Sequence, residues 1–387
     1  MSNRRTTAER RAALRQSLRA DIASGVLVPG SALPSLRELG ERFDLSRSTV
    51  QVELEPLIAE GLLHARSRRG VFVASSAPIH PDRCCLFVSE PWPAGSMVWL
   101  HMQLAQRGFE RRVTRLGGHA TFARRTDLHD DDFRQRIPDI AGVFYYYGAS
   151  PNDGPEGAGK LRQVCRVRYG YPDDAKPDDR NTADWVHFDD LDGGRQATQH
   201  LISQGHRRIA FLAAHPTPMR TPQSWSQERQ SGWKAALTRA FPGADLVSFH
   251  PTDQEVAAGG GPSAVAWRTA QHVLPHLDDF DAIVGADDVH ILALVDALRA
   301  ASVPAATWPA MVGFEGLPET ENYVLTSIVP PWEQIGETAA EIIWSRLSGR
   351  LSGAVVERVV TMNLVSRLSS HKDWNSQGSA DILLSRR

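Results

Sequence analysis

The chain has 387 residues, 42% apolar and 23% charged, with a formal net charge of −2. That length exceeds one comfortable hydrophobic core, so at least two are expected; no stretch approaches the roughly 18 apolar residues of a membrane span, which predicts a soluble protein. The basic first residues lack the apolar core of a secretory signal, which predicts a cytoplasmic one, and Cys84, Cys85 and Cys165 have no spacing suited to a metal site or a disulfide framework.

The near-neutral total hides an asymmetry. Residues 1–76 hold 12 Arg and Lys against 8 Asp and Glu, whereas the remainder holds 31 against 37. The basic N-terminal end is the candidate anion binder. From Thr7 onward, Leu14, Leu18 and Ile22 recur at helical spacing until Gly25 and Pro29-Gly30 break the pattern, which predicts a first helix. Ser35 stands at an N-cap position with Glu38 three residues on, a capping box, and Leu36, Leu39 and Phe43 supply the apolar face of a second helix. After a break at Asp44-Leu45, Ser46 caps a third helix that carries Val50, Leu54, Leu57 and Ile58 and ends at Gly61. Two helices across so short a turn make a helix-turn-helix. Leu62-Leu63, a polar turn from Ser67 to Gly70, and Val71-Phe72-Val73 then read as a hairpin, a wing.

Ser46, Arg47, Ser48 and Thr49 cluster at the N-terminus of the third helix, where free backbone N–H groups and the helix dipole favour a phosphate. In a recognition helix this end enters the major groove, within reach of base edges and phosphates. Ser35 and Arg37 of the second helix, with Arg68, Arg69 and Gly70 of the wing, complete the candidate DNA contacts. Capping and solvation would account for each of these residues singly, but less readily for all of them together.

The segments PGSALPSLREL, LSRSTVQVELEPLIAEGLL and RRGVFVA, in that order over residues 8–75, resemble the DNA-binding domain of the GntR family of bacterial regulators. The resemblance implies a winged helix-turn-helix with Arg37, Arg47, Thr49 and Gly70 at DNA-contacting positions. Gln51 stands where an arginine is common and Arg68 replaces the usual first wing glycine, departures that bear on base preference and wing geometry.

Residues 77–83, punctuated by Pro78 and Pro81, predict a linker between a DNA-binding domain at 1–76 and a second domain at 84–368, with a polar tail at 369–387. In the second domain short apolar runs alternate with helical segments: CCLFVS then MVWLHMQLAQRGF; IAGVFYYY; WVHF then RQATQHLISQG; RIAFLAA then SGWKAALTRAF; AIVGA then HILALVDALRAA; and AMVGF. Such alternation predicts α/β architecture with parallel sheets, here in two lobes. Parallel sheets bind ligands beyond the C-terminal ends of their strands. The polar and aromatic residues there are Glu90, Trp92, Tyr146, Tyr147, Asp189, Asp287 and Glu315, together with Arg229 after the RIAFLAA strand. Carboxylates and an arginine suit the hydroxyls of a sugar-like effector, and aromatic rings suit its apolar face.

The stretches VHFDDLDGGRQATQHLISQGHRRIAFL, RQSGWKAAL, IVGADDVHILALVDALRAASV, MVGFEG and LTSIVPPWEQIGETAAEIIWSRL resemble the effector domain of the LacI family, which is similar to periplasmic sugar-binding proteins. The resemblance covers residues 185–347 and implies pocket positions for Asp189, Arg229, Asp287 and Glu315, the last replacing a usual Asp. A GntR-type winged helix joined to such a domain is the arrangement of the arabinose-type repressors. It implies a homodimer on operator DNA, a small polar effector such as a sugar, no cofactor, and repression that the effector relieves. Two other readings stay open: a C-terminal domain that only dimerises, and a doubly wound enzyme with a regulatory DNA domain, although no phosphate-binding glycine loop, nucleophile elbow or His-Glu-x-x-His is present.

Overall fold

The computed structural model describes residues 6–23, 27, 31–59, 62–66, 70–73, 84–91, 96–130, 140–146, 164–174, 181–214, 224–318 and 324–372. Arg68, Arg69, Trp92, Tyr147, the linker 77–83 and residues 373–387 of the tail lie outside them. By contacts the chain divides into one unit of Met1–Glu90, Phe109–Val167 and Ala339–Ala354 and another of Pro91–Gly108, Arg168–Thr338 and Val355–Arg387.

The first unit begins with three helices, α1 (Thr7–Ala23), α2 (Leu36–Phe43) and α3 (Arg47–Ala59), followed by the antiparallel hairpin of β1 (Leu63–Arg66) and β2 (Gly70–Val73). The local signals act as the sequence predicts. Ser35 and Glu38 form a reciprocal capping box, and Asp44 turns the chain in the left-handed region at φ 51° between α2 and α3. The periodic apolar residues Leu14, Leu18 and Ile22 meet Leu39, Val50, Leu54, Leu57, Leu63 and Val73 in one core. Glu53 is 3% exposed in this assembly and is held by Arg11 Nε at 2.5 Å and by Arg15. One buried carboxylate thus ties α3 to α1. A second core surrounds β3 (Cys84–Ser89), which is buried along its length and pairs in parallel with β4 (His119–Arg124) and β5 (Ile140–Tyr146).

In the second unit β7 (Asp184–Phe188) pairs in parallel with β13 (Glu357–Val360). A six-stranded sheet has the order β14-β12-β11-β10-β8-β9, where β8 is Ile209–Leu212, β9 Ser248–Phe249, β10 Ala282–Gly285, β11 Ala310–Phe314, β12 Thr326–Val329 and β14 Asn363–Val365. Every pairing in it is parallel except that of β12 with β14. The helices α5 (Asp190–Ser203) after β7, α6 (Ser224–Ala240) after β8, α9 (Asp288–Ala300) after β10 and α10 (Trp332–Leu347) after β12 follow the alternation of the sequence, and α4 (Met97–Arg115) follows β3. The architecture is a winged helix-turn-helix followed by an α/β domain with parallel sheets. Among the described residues no helix is long and apolar enough to cross a membrane.

The fold extends past the expected boundary at residue 368. Ser369 and Ser370 are buried, and Ser369 Oγ donates to the Met311 carbonyl at 2.7 Å and accepts from Thr326 N at 2.8 Å. Polarity does not mark the end of the domain here, because these hydroxyls satisfy backbone groups at the sheet.

Candidate functional site

Two groups of side chains stand apart from ordinary packing. The first lies at the start of α3. Ser46 Oγ accepts from the Thr49 N–H at 3.1 Å and contacts the hydroxyls of Ser48 at 3.0 Å and Thr49 at 2.7 Å, while Ser46, Arg47 and Ser48 are exposed. The first turn of α3 is thus exposed, and a helix N-terminus is a place where a phosphate can be received. Arg37 is exposed on α2, with Nε 3.8 Å from Glu41 Oε1. Ser35 is spent on its cap, and Gly70 is exposed at φ 102°.

The second group is buried within the second unit and is centred on Arg229 of α6, 3% exposed. Arg229 Nε donates to Asp190 Oδ1 at 2.7 Å, and Nη1 donates to the Ala286 carbonyl at 2.7 Å and to Glu315 Oε1 at 2.9 Å. The guanidinium lies 4.8 Å from the Trp225 ring and 4.3 Å from the Phe314 ring, which shield it and add cation–π attraction. Close helix packing makes this reach possible. A Cβ at Gly194 of α5 would overlap the Arg229 carbonyl oxygen, so the glycine lets α6 come near enough to bring Arg229 onto Asp190 at the start of α5.

Burial pushes the Asp190 carboxyl above the usual carboxylate range, and the Arg229 charge opposes it. Tyr171 OH donates to Asp190 Oδ2 at 2.9 Å and lies 3.0 Å from the Phe188 carbonyl; burial first, then the Asp190 charge, raises the phenol well above its ordinary value. Asp287 caps α9 and accepts from His290 N at 2.9 Å and Nδ1 at 2.7 Å, which hold its carboxyl low against burial. Asp288, next along, accepts from Leu317 N and Ser327 Oγ, both at 3.0 Å, and burial drives it well above its ordinary value.

Glu315 follows β11 in a backbone conformation, φ 103°, that a residue with a side chain rarely adopts. Its Oε1 is bound by Arg229, but its buried Oε2 has no hydrogen-bond partner among the described residues; His101 Nε2 of α4 stands 3.6 Å from it. The His101 ring stacks on Trp332 at 4.2 Å with the planes 15° apart, and Trp332 in turn meets Phe188 edge-on at 4.7 Å. A Cβ at Gly108 would overlap the Glu333 carbonyl oxygen, so this glycine lets α4 and α10 approach.

The structure thus brings Arg229, Asp287 and Glu315 into one neighbourhood. Asp189 lies beside this group rather than in contact with Arg229. It caps α5, accepting from Asp192 N at 2.9 Å, and the following Asp190 faces Arg229 because the helical turn carries it inward. Glu90 pairs with Arg125 at 2.7 Å and Tyr146 is fully buried on Phe87, both inside the first unit. Sequence reasoning missed Asp190, Tyr171, His101 and Trp332. Trp332 was within reach of the rule used, since it follows β12 after Pro330-Pro331; His101 lies inside an amphipathic helix and gives no such signal.

Residues 10–73 match the bacterial regulatory proteins of the gntR family, and residues 198–370 match a periplasmic binding protein-like domain. The HTH-type transcriptional regulator CelR of Thermobifida fusca is 30% identical over 289 residues, 69% of this chain and 73% of that protein. The structure of a transcriptional regulator CelR–cellobiose complex shares the fold with a TM-score of 0.55 and 21% identity, covering 94% of this chain and 99% of that one. A lac repressor dimer bound to operator and an anti-inducer is similar with a TM-score of 0.53 and 18% identity, covering 74% of this chain and 93% of that one.

Proposed function

Because the chain belongs to the HTH-type transcriptional regulators, with a gntR-family DNA-binding domain and a periplasmic binding protein-like domain, we propose that it binds operator DNA as a homodimer and that a sugar-like effector at the Arg229 neighbourhood changes that affinity. The observation that carries the reading is the exposed first turn of α3, where Ser46, Arg47, Ser48 and Thr49 present hydroxyls, backbone donors and one cation on a helix anchored by Glu53. Such a turn positions the helix on phosphates while Arg47 reaches a base edge or the backbone.

The buried group supports the effector half. Asp190, Glu315 and Asp287 offer acceptors, Arg229 is a fixed donor, and Trp332 supplies an aromatic surface, a combination that suits a hydroxylated ring. The similar CelR structure carries cellobiose and the similar lac repressor is a dimer on its operator. In this reading two recognition helices meet a two-fold related site, and effector binding shifts the protein toward a state that holds DNA less well, by a coupling free energy of about 1–3 kcal/mol. The polar groups serve recognition, with no catalytic step, in a cytoplasmic protein.

The test is a fluorescence-anisotropy titration on the chain's own promoter region at several salt concentrations, with and without a panel of neutral sugars. Sequence-selective, salt-sensitive binding that one sugar weakens is expected. Arg47→Ala should reduce affinity and lower the salt slope by about 1 if its contact is to phosphate. Equal, unselective binding by wild type and Arg47→Ala overturns the DNA half, and selective binding that every sugar leaves unchanged overturns the effector half.

A further inference from the structure

We propose that His101 and the free oxygen of Glu315 form a clamp for one hydroxyl of the effector, with Trp332 as the surface beneath it, and that the clamp ties effector affinity to pH. The inference rests on the sugar-effector reading and adds to it a contact residue, His101, and a proton linkage. Glu315 Oε2 is buried and unpartnered while its twin oxygen is occupied by Arg229. A buried acceptor left without a donor costs about 1–3 kcal/mol, and a strained backbone at the same residue adds to the expense of keeping it there. His101 Nε2 stands 3.6 Å away, too far for a direct hydrogen bond. A hydroxyl set beside the pair, about 2.8 Å from each atom, donates to Oε2 and accepts from an Nε2–H, so both groups are satisfied by one ligand atom. The His101 ring is fixed by its stack on Trp332, which leaves the edge bearing Nε2 aimed at Glu315.

The pH linkage follows from the charges around the imidazole. Glu315, after β11, and Arg229, on α6, are the charged groups that face it, and α10 presents the neutral Trp332 ring. Burial lowers the His101 pKa from 6.5, with Glu315 opposing and Arg229 reinforcing the shift. Without effector, protonated His101 can close on Glu315 as an ion pair. With effector, Nε2–H and Oε2 are both engaged by the hydroxyl rather than by each other, which removes that gain. Effector binding therefore favours neutral His101, and affinity declines as pH falls below its pKa, by up to about tenfold per pH unit.

The experiment is calorimetric titration of the full chain with cellobiose, ribose and glucose at pH 7.5 and 5.0, for wild type, His101→Ala and His101→Gln, each shown to be folded by its thermal transition. The expected result is a sugar that binds wild type more weakly at pH 5.0 by threefold or more. His101→Ala binds it about three- to tenfold more weakly at pH 7.5, and His101→Gln, which keeps a donor but cannot titrate, recovers most of that loss and has a flat pH response. A sugar bound equally by wild type and His101→Ala, with no change between the two pH values, overturns the clamp while leaving the effector site standing. A wild-type protein that binds its operator but none of the sugars counts against the sugar reading and takes the clamp with it.

Discussion

Replacing Arg229 with methionine puts the largest buried charge arrangement under test. Methionine fills much of the space between Trp225 and Phe314 but donates nothing, so Asp190 keeps the Tyr171 hydroxyl and loses its cation, and Glu315 loses the guanidinium hydrogen bond to Oε1. Asp190 and Arg229 are 2% and 3% exposed, so solvent does little to replace what is lost. Removing one member of a buried pair costs on the order of 3–5 kcal/mol. The pH dependence gives a second check. Burial already raises the Asp190 carboxyl in the fold, and Arg229 restrains that rise; without Arg229 it rises further. A carboxyl raised above its unfolded value imposes no penalty below the unfolded pKa; the penalty grows as pH rises from there to the folded pKa and is constant above it. The stability deficit of Arg229→Met should therefore be largest near pH 8 and shrink toward pH 5. Urea unfolding followed by tryptophan fluorescence measures it, with the slope compared between proteins to confirm that the same surface unfolds. A deficit below about 1 kcal/mol at pH 8, or one that does not change with pH, would refute the assignment of Arg229 as the counter-charge of Asp190 and Glu315.

Three further expectations follow from buried contacts. Glu53→Gln, which leaves Arg11 and Arg15 without their carboxylate, should destabilise the winged helix by about 1.5–3 kcal/mol, read as an early loss of operator binding on heating. Gly194→Ala would gain about 1 kcal/mol from helix propensity if exposed, but here its methyl meets the Arg229 carbonyl, so a net loss of about 1–3 kcal/mol in thermal or urea unfolding is expected. Asp288→Asn keeps partners for Leu317 N and Ser327 Oγ and removes a carboxyl that burial holds well above its ordinary pKa, so it should raise the melting temperature at pH 8 and lose that advantage as pH falls through the raised value.

Much of this architecture is legible one segment at a time. Ser35 with Glu38, Ser46 before Val50, and the repeat of Leu14, Leu18 and Ile22 act over three to eight residues, so the three helices of the DNA-binding domain and the strand-helix alternation after it can be read directly from the chain. The candidate DNA contacts at Ser46, Arg47, Ser48 and Thr49 are legible for the same reason, being consecutive on one helical turn. Short edge strands such as β9, β13 and β14 were not, because two to four residues carry too little periodicity to distinguish them from loops.

The buried group was only partly legible. The rule that ligands lie beyond the C-terminal ends of parallel strands leads to Asp189, Arg229, Asp287 and Glu315, but not to Asp190, which the turn of α5 sets against Arg229. His101, Tyr171, Asp190, Arg229, Glu315 and Trp332 come from six separate segments, and neither the stack of His101 on Trp332 nor the unpartnered oxygen of Glu315 has any local signature. Sequence alone determined the helices and the longer strands and which helix start carries the candidate DNA contacts, since caps and periodicity are short-range effects. Tertiary structure decided which carboxylate meets Arg229 and which is left without a donor, because those choices depend on how closely α5 and α6, and α4 and α10, approach one another.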